Sequence, residues 1–323
     1  MAEKFRIEVL GEASNLDLTM FPDWDAHPLQ ADFGDRLYRA VMGDAHKSHH
    51  FALIGADGPL ILVRCTSGQE KISFYGMPLV LACRRALEDK TRRAVLAAVL
   101  DHLHDLAKSQ GISEILVQGG SLPDPTILDC LCIDRQAKGG AQNFALMDLS
   151  LEVDALRRDI RDSYRSLINW GGRQIRMEQV NRSNPNRQFF ERYVQFHGVV
   201  SGGKRDSRDY WRIYWDEIVA GRAELSLGWL AGDQLVSGTL VVEAGQTAYY
   251  ASGVYDRDEF DKPLGHFPLW QAILRAKERG LRWFDLGELF AYCEGSDKER
   301  NIAFFKRGFT SRRSSRLVWS LKV

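Results

Sequence analysis

Hydrophobic positions along the chain switch between two periods, and the switch sorts it into elements. Leu281 to Leu286 is a short apolar run that follows a helical pattern directly, which predicts a buried parallel strand. It closes on Asp285-Leu286-Gly287, where glycine lets the backbone turn sharply and leaves Glu288 near the strand's carboxyl end. In open α/β sheets that edge is where ligands bind. Lys298 to Lys306 has helical spacing, with Ile302, Phe305 and Phe309 expected on its inner side and Lys306 beside them. An ammonium is thereby expected at the rim of an aromatic-lined cleft.

The second half repeats such signals. Asp154 to Trp170 reads as one amphipathic helix, with Leu156, Ile160, Tyr164 and Leu167 in one stripe and Arg157, Arg161 and Arg165 in another. Phe189 to His197 and Asp209 to Ala220 follow as helices. Ala223 to Leu230, Gln234 to Glu243 and Thr247 to Tyr255 read as three strands joined by glycine turns, and Leu264 to Gly280 as a helix. Tyr249 and Tyr250 alternate on their strand, so one of the two faces a cleft. The first half predicts a strand at Arg6 to Leu10, a helix at Phe33 to Met42 with Phe33, Leu37 and Val41 inward, and a hairpin from Phe51 to Cys65. A third strand at Ile72 to Leu81, a helix at Asp89 to Gly111 and a buried strand at Ile112 to Val117 complete it. Gly139-Gly140 reads as a linker, followed by a strand at Asn143 to Leu149.

A chain of 323 residues suits two domains. The 43 basic and 43 acidic side chains balance, so no global field draws the protein to DNA or anionic lipid, and any such binding must be local. No apolar run approaches the roughly 18 residues of a membrane span, and the charged start Met1 to Leu10 lacks a signal-peptide core. A cytoplasmic protein is the expectation. Cys65, Cys83, Cys130, Cys132 and Cys293 are irregularly spaced and read as reduced, mostly buried thiols.

Other candidates read more plainly. His46, His49 and His50 read as a solvated loop, and His102 and His104, two apart on a helix, point to different faces. No metal is expected. Gly119-Gly120-Ser121 reads as a turn, because Pro123 and Pro125 interrupt the helix a phosphate loop requires. Trp211 and Trp215 read as core and groove wall. The arginine stripe reads as a solvated face, or, continued through Arg173 and Arg176, as a phosphate contact.

Asp285-Leu286-Gly287, followed after a spacer by Phe305-Lys306-Arg307-Gly308-Phe309, resembles the closing motif of the FemAB-like branch of the GNAT acyltransferase superfamily. The resemblance covers Asp154 to the C-terminus and touches the first half faintly. It implies an α/β (α+β) chain of two tandem GNAT-like domains, a degenerate one at 1–150 and an acyltransferase domain at 151–323. It also implies an N-acyltransferase acting on an amine of an amino-sugar nucleotide or cell-envelope precursor, a small-molecule or carrier-linked acceptor. Acyl-CoA and aminoacyl-tRNA both stay open as donor, as does a catalytically silent binding module of the same shape. The usual pyrophosphate signature is incomplete at Arg257 to His266. In this reading Lys306 neutralises the oxyanion or anchors an acceptor phosphate, and Phe305 lines the acyl channel. Asp285 and Glu288 orient or deprotonate the amine. His266 and Tyr250 sit at the substrate, and Arg165 and Arg173 contact phosphate.

Overall fold

The computed structural model describes residues 5–10, 16–203, 208–289 and 295–323, so Cys293 lies outside the described residues. The chain divides into two compact units, residues 1–143 with 314–323, and residues 144–313.

The first unit carries β1 (Arg6–Val9), α1 (Asp32–Met42), β2 (Lys47–Ser48), β3 (Phe51–Gly55), β4 (Gly58–Val63), β5 (Thr66–Ser67), β6 (Lys71–Ser73), β7 (Leu81–Cys83), α2 (Asp89–Ser109), β8 (Glu114–Ser121) and α3 (Ile127–Asp134). Strands β1, β3, β4 and β7 form an antiparallel sheet in the order β1-β3-β4-β7. Val95, Val99 and Leu103 of α2 join Leu53, Ile61 and Val63 in the core, each residue contributing roughly 1.5–3 kcal/mol by leaving water.

Several expectations change here. The run at Ile72 to Leu81 is two strands, because Tyr75 (φ 52°) and Gly76 (φ 88°) turn the backbone back; β6 pairs with β5 and β8, and β7 with β4. Val41 is 59% exposed, so the inner face of α1 is Phe33 and Leu37 alone among the three. Gly119-Gly120-Ser121 ends β8 rather than turning. The buried Asp129 carboxylate accepts from the Gly120 and Thr126 N–H groups and from Trp319 Nε1 (2.7 Å), and a Cβ at Gly119 would lie 2.0 Å from it. Gly139-Gly140 belongs to β9 (Lys138–Asp148), where the Trp319 ring would meet a Cβ on Gly139 at 2.9 Å. His50 bonds Asp35 (3.2 Å) and His49 bonds Ser67 (2.9 Å), so these histidines are structural. Cys65, Cys83 and Cys132 are buried and Cys130 is exposed; burial pushes the Cys65 and Cys132 thiols up to about 12.

The second unit adds α4 (Val153–Asp159), α5 (Asp162–Gln174), β10 (Arg176–Val180), α6 (Arg187–Ser201), α7 (Arg208–Ala220), β11 (Ala223–Leu230), β12 (Gln234–Ala244), β13 (Thr247–Tyr255), α8 (His266–Glu278), β14 (Trp283–Glu288) and α9 (Asp297–Arg307). The last strand, β15 (Arg313–Lys322), belongs almost wholly to the first unit. Strands β10 to β13 are antiparallel in chain order, and β14 joins β13 in parallel, with residues 144–148 of β9 beyond it. Helices α5 and α8 pack together on one face, where Tyr255 fills the space beside Gly265; Tyr193 of α6 covers Gly238 on the other. The expected single helix from Asp154 is two. Ile160 takes an extended conformation (φ −70°, ψ 139°) and is 1% exposed, and Arg165 donates to the carbonyls of Arg157, Arg158 and Ile160 that end α4.

Candidate active site

The apolar run at 281–286 buries Phe284 and Leu286 completely as β14. This strand pairs with β13 over three rungs only, Thr247 with Trp283, Ala248 with Phe284 and Tyr249 with Asp285. Beyond them β13 runs on to Tyr255 and β14 to Glu288 without further rungs between them, so the sheet opens at the strand ends. Gly287 lies inside β14, at a register shift between Asp285 and Glu288, rather than in a turn after it. Its φ of +90° is one that L side chains rarely adopt, and its N–H donates to Asp285 Oδ1 at 2.6 Å.

Lys306 enters this opening from α9, whose start is fixed by a capping box between Ser296 and Glu299. Its Nζ lies 3.4 Å from the Glu288 carbonyl and 2.8 Å from where a Cβ on Gly287 would sit; the Tyr249 ring edge is 3.7 Å from the same point. Burial pushes the Lys306 ammonium below its ordinary value, against the raising effect of Asp285 and Glu288. Asp285 is 1% exposed and Glu288 half-buried. The inner side of α9 is Ala303 and Phe305; Ile302 is 42% exposed, because Ala303 takes the inward position.

An aromatic group adjoins Lys306. Phe305 packs on His266 (ring centroids 5.3 Å), Phe309 (5.3 Å), Tyr164 (6.1 Å) and Tyr255 (6.3 Å), and His266 stands edge-on to Tyr164 at 4.4 Å. Burial, with Arg161 adding to it, pushes the imidazole down to about 4, so His266 is neutral at physiological pH. Tyr250 turns to Tyr255, hydroxyl to hydroxyl at 2.6 Å, and burial raises both phenols. Gly253 makes room: a Cβ there would lie 1.6 Å from Tyr250 Oη.

The structure therefore gathers Asp285, Glu288 and Lys306, sets Phe305 and His266 beside them, and links Tyr250 to Phe305 through Tyr255. Arg165 is turned to the end of α4 and to Asp162 (3.1 Å), and Arg173 is exposed in the last turn of α5. Tyr249, which strand alternation offered as an alternative to Tyr250, lies beside Lys306 and Gly287. The apolar stripe placed Tyr164 inward without saying against what.

A model of the acetyltransferase (GNAT) domain matches residues 154–298. The second unit is a GNAT acyltransferase domain. Among solved structures, the chain is similar to FemX at 14% identity and a TM-score of 0.67, over 98% of this chain and 97% of that one. It is similar to a tandem GNAT protein from the clavulanic acid biosynthesis pathway at 11% identity and 0.55, over 99% and 98%. The C-terminal domain of a putative lysylphosphatidylglycerol synthetase from Agrobacterium fabrum gives 12% and 0.56, over 90% and 93%. At such identities the likeness is one of fold: two GNAT-like units in tandem, of the Fem-like kind. No curated protein matches the chain in sequence.

GNAT domains typically take their acyl group from acyl-CoA, whose pyrophosphate rests on N–H groups at the start of the helix corresponding to α8. The residues here do not fit that group. Pro268 at the third position has no N–H, the His266 N–H is spent on Pro263 O (3.4 Å), and Tyr255 covers Gly265. The preceding loop carries Asp256, Asp258, Glu259 and Asp261 against Arg257 and Lys262, and Lys262 is paired with Glu259. Such a loop repels a pyrophosphate.

Proposed function

We propose that the second unit transfers an acyl group from an activated ester onto the amine of a small or carrier-linked acceptor, such as an amino-sugar nucleotide or cell-envelope precursor. The observation that carries this reading is the Lys306 ammonium at the opening between β13 and β14, 2.8 Å from the space a side chain on Gly287 would take. When the amine attacks the acyl carbonyl, negative charge grows on the carbonyl oxygen, and a partly desolvated ammonium stabilises it more than water does. Glu288, half-buried at the strand end, takes the proton the attacking amine must lose and returns it to the ester oxygen, which leaves as an alcohol when the acyl C–O bond breaks and the carbonyl re-forms. Asp285, bonded to the Gly287 N–H, fixes the strand end and opposes the effect of burial on the Lys306 ammonium. Phe305 and Tyr249 wall the channel. The poor fit of α8 to a pyrophosphate favours an ester donor of the aminoacyl-tRNA kind over a CoA thioester, and FemX and the putative lysylphosphatidylglycerol synthetase support an acceptor from the cell envelope. Among the described residues no helix is long and apolar enough to cross a membrane.

The test is mass spectrometry of amine-acceptor pools incubated with purified protein and either aminoacyl-tRNA or acetyl-CoA. An aminoacyl mass added only with aminoacyl-tRNA is the expected result. An acetyl mass added instead refutes the donor assignment, and no covalent product with either donor points to a binding module.

A further inference from the structure

Several arginines of the second unit have carboxylate or carbonyl partners. Arg165 is spent on the end of α4, Arg275 and Arg279 on the buried Glu224, and Arg176 on Glu178 and Asp233. Arg161 differs. Its guanidinium lies over two rings, 4.1 Å from the centre of Phe304 and 4.9 Å from that of Tyr164. Among the described residues its side chain makes no hydrogen bond or ion pair. Arg187 is the informative contrast: it also stacks on two rings, Phe190 and Trp215, but its head is taken by Glu191 at 3.0 Å.

The placement of Arg161 is built into the backbone. Its N–H donates to Gly308 O at 2.8 Å, which ties the start of α5 to the residue after α9, one turn past Phe304. Phe304 is 51% exposed, with the Arg161 guanidinium lying over its ring. The neighbouring carboxylate, Asp162, is already bridged to Arg165. A guanidinium held over two rings, with no hydrogen bond or ion pair among the described residues, keeps its N–H donors for a ligand. The rings also reduce the rotamer freedom lost on binding. A guanidinium fork matches the paired oxygens of a phosphate ester.

We propose that Arg161, held over Phe304 and Tyr164, is a phosphate anchor for a substrate of the acyltransferase site, holding a phosphate ester carried by either the acceptor or the donor. Its link to that site is Tyr164, which touches both Arg161 and the His266–Phe305 group. Anion binding itself stands apart from the acyl-transfer reading; the assignment to a substrate rests on it.

Calorimetric titration with inorganic pyrophosphate, at low ionic strength, tests the anchor. Wild type binds. Arg161→Gln weakens binding at least tenfold, Arg161→Lys weakens it too because lysine offers no fork, and Arg212→Gln, an exposed arginine paired with Asp209, leaves it unchanged. Equal binding by wild type and Arg161→Gln, both folded by circular dichroism, overturns the proposal, as does a wild type that binds no pyrophosphate. In the transfer assay, Arg161→Gln raises KM for whichever substrate carries the phosphate and leaves kcat within about threefold. A raised acceptor KM places the phosphate on the acceptor and a raised donor KM on the donor; unchanged KM for both removes the link to the site. Transfer that persists with unchanged KM refutes Arg161 alone, whereas pyrophosphate binding without any transfer refutes the acyltransferase reading alone.

Discussion

Replacing Gly287 by Ala separates the chemistry of the site from the stability of the fold. Two effects follow. At φ +90° an alanine carries a backbone penalty of about 1–2 kcal/mol, partly relieved by relaxation of the irregular ladder around it. The new Cβ would also stand 2.8 Å from Lys306 Nζ, well inside a van der Waals separation. A lysine tip yields more readily than backbone, so the contact costs little stability and instead moves the ammonium by roughly 1 Å. A displacement of that size at a reacting centre lowers the rate by about 100-fold. The expected result is thus a fall in Tm of about 2–8 °C, since 1 kcal/mol shifts a domain of this size by about 2–4 °C, with kcat reduced about 100-fold. Thermal denaturation and steady-state transfer kinetics measure both. Turnover within threefold of wild type, in a protein that shows the Tm loss, refutes the claim that the ammonium above Gly287 takes part in the reaction.

Gly308→Ala meets no backbone penalty, because Gly308 has φ −76° and ψ −17°, but its Cβ would lie 2.0 Å from Tyr164 Cε2. A loss of about 1–3 kcal/mol by urea denaturation is expected, largely recovered in the double variant with Tyr164→Leu; equal losses in the presence and absence of the ring count against the packing described. His266, neutral in the fold with a value of about 4 against 6.5 when unfolded, stabilises less as the unfolded chain takes up a proton between pH 6.5 and 4. Allowing for solvent screening of a partly exposed ring, the loss is about 2 kcal/mol, and His266→Gln flattens that slope in denaturation measured at pH 4 and pH 7. Arg275→Met strands the buried Glu224, which Arg275 meets at 2.5 and 2.6 Å, and lowers stability by about 3 kcal/mol; a change under 1 kcal/mol shows that Arg279 alone suffices.

The strands and helices with one clean period were legible. The Leu281–Leu286 run and the Lys298–Lys306 spacing name β14 and α9 because a short apolar run and a 3.6-residue stripe have few other uses. What escaped depends on distant partners. Gly139 looks like a linker until Trp319, far along the chain, is laid across it. The helix from Asp154 reads as continuous because Ile160 buries itself equally well in an extended turn. Alternation says only that one of Tyr249 and Tyr250 faces a cleft; in the fold Tyr249 is the nearer to Lys306 and Tyr250 turns to Tyr255. Among the arginines the pattern offered a stripe. Only the fold shows that Arg165 is occupied by carbonyls and that Arg161 is held over rings.

The most direct measurement is kcat for acyl transfer by Lys306→Ala beside wild type, once mass spectrometry has named the donor. Removing one charged stabiliser of a developing oxyanion predicts a loss of about 100- to 1,000-fold in a protein still folded by circular dichroism, with pyrophosphate binding unchanged. A kcat within threefold of wild type would contradict the account, because the ammonium at the opened sheet would then have no part in the chemistry.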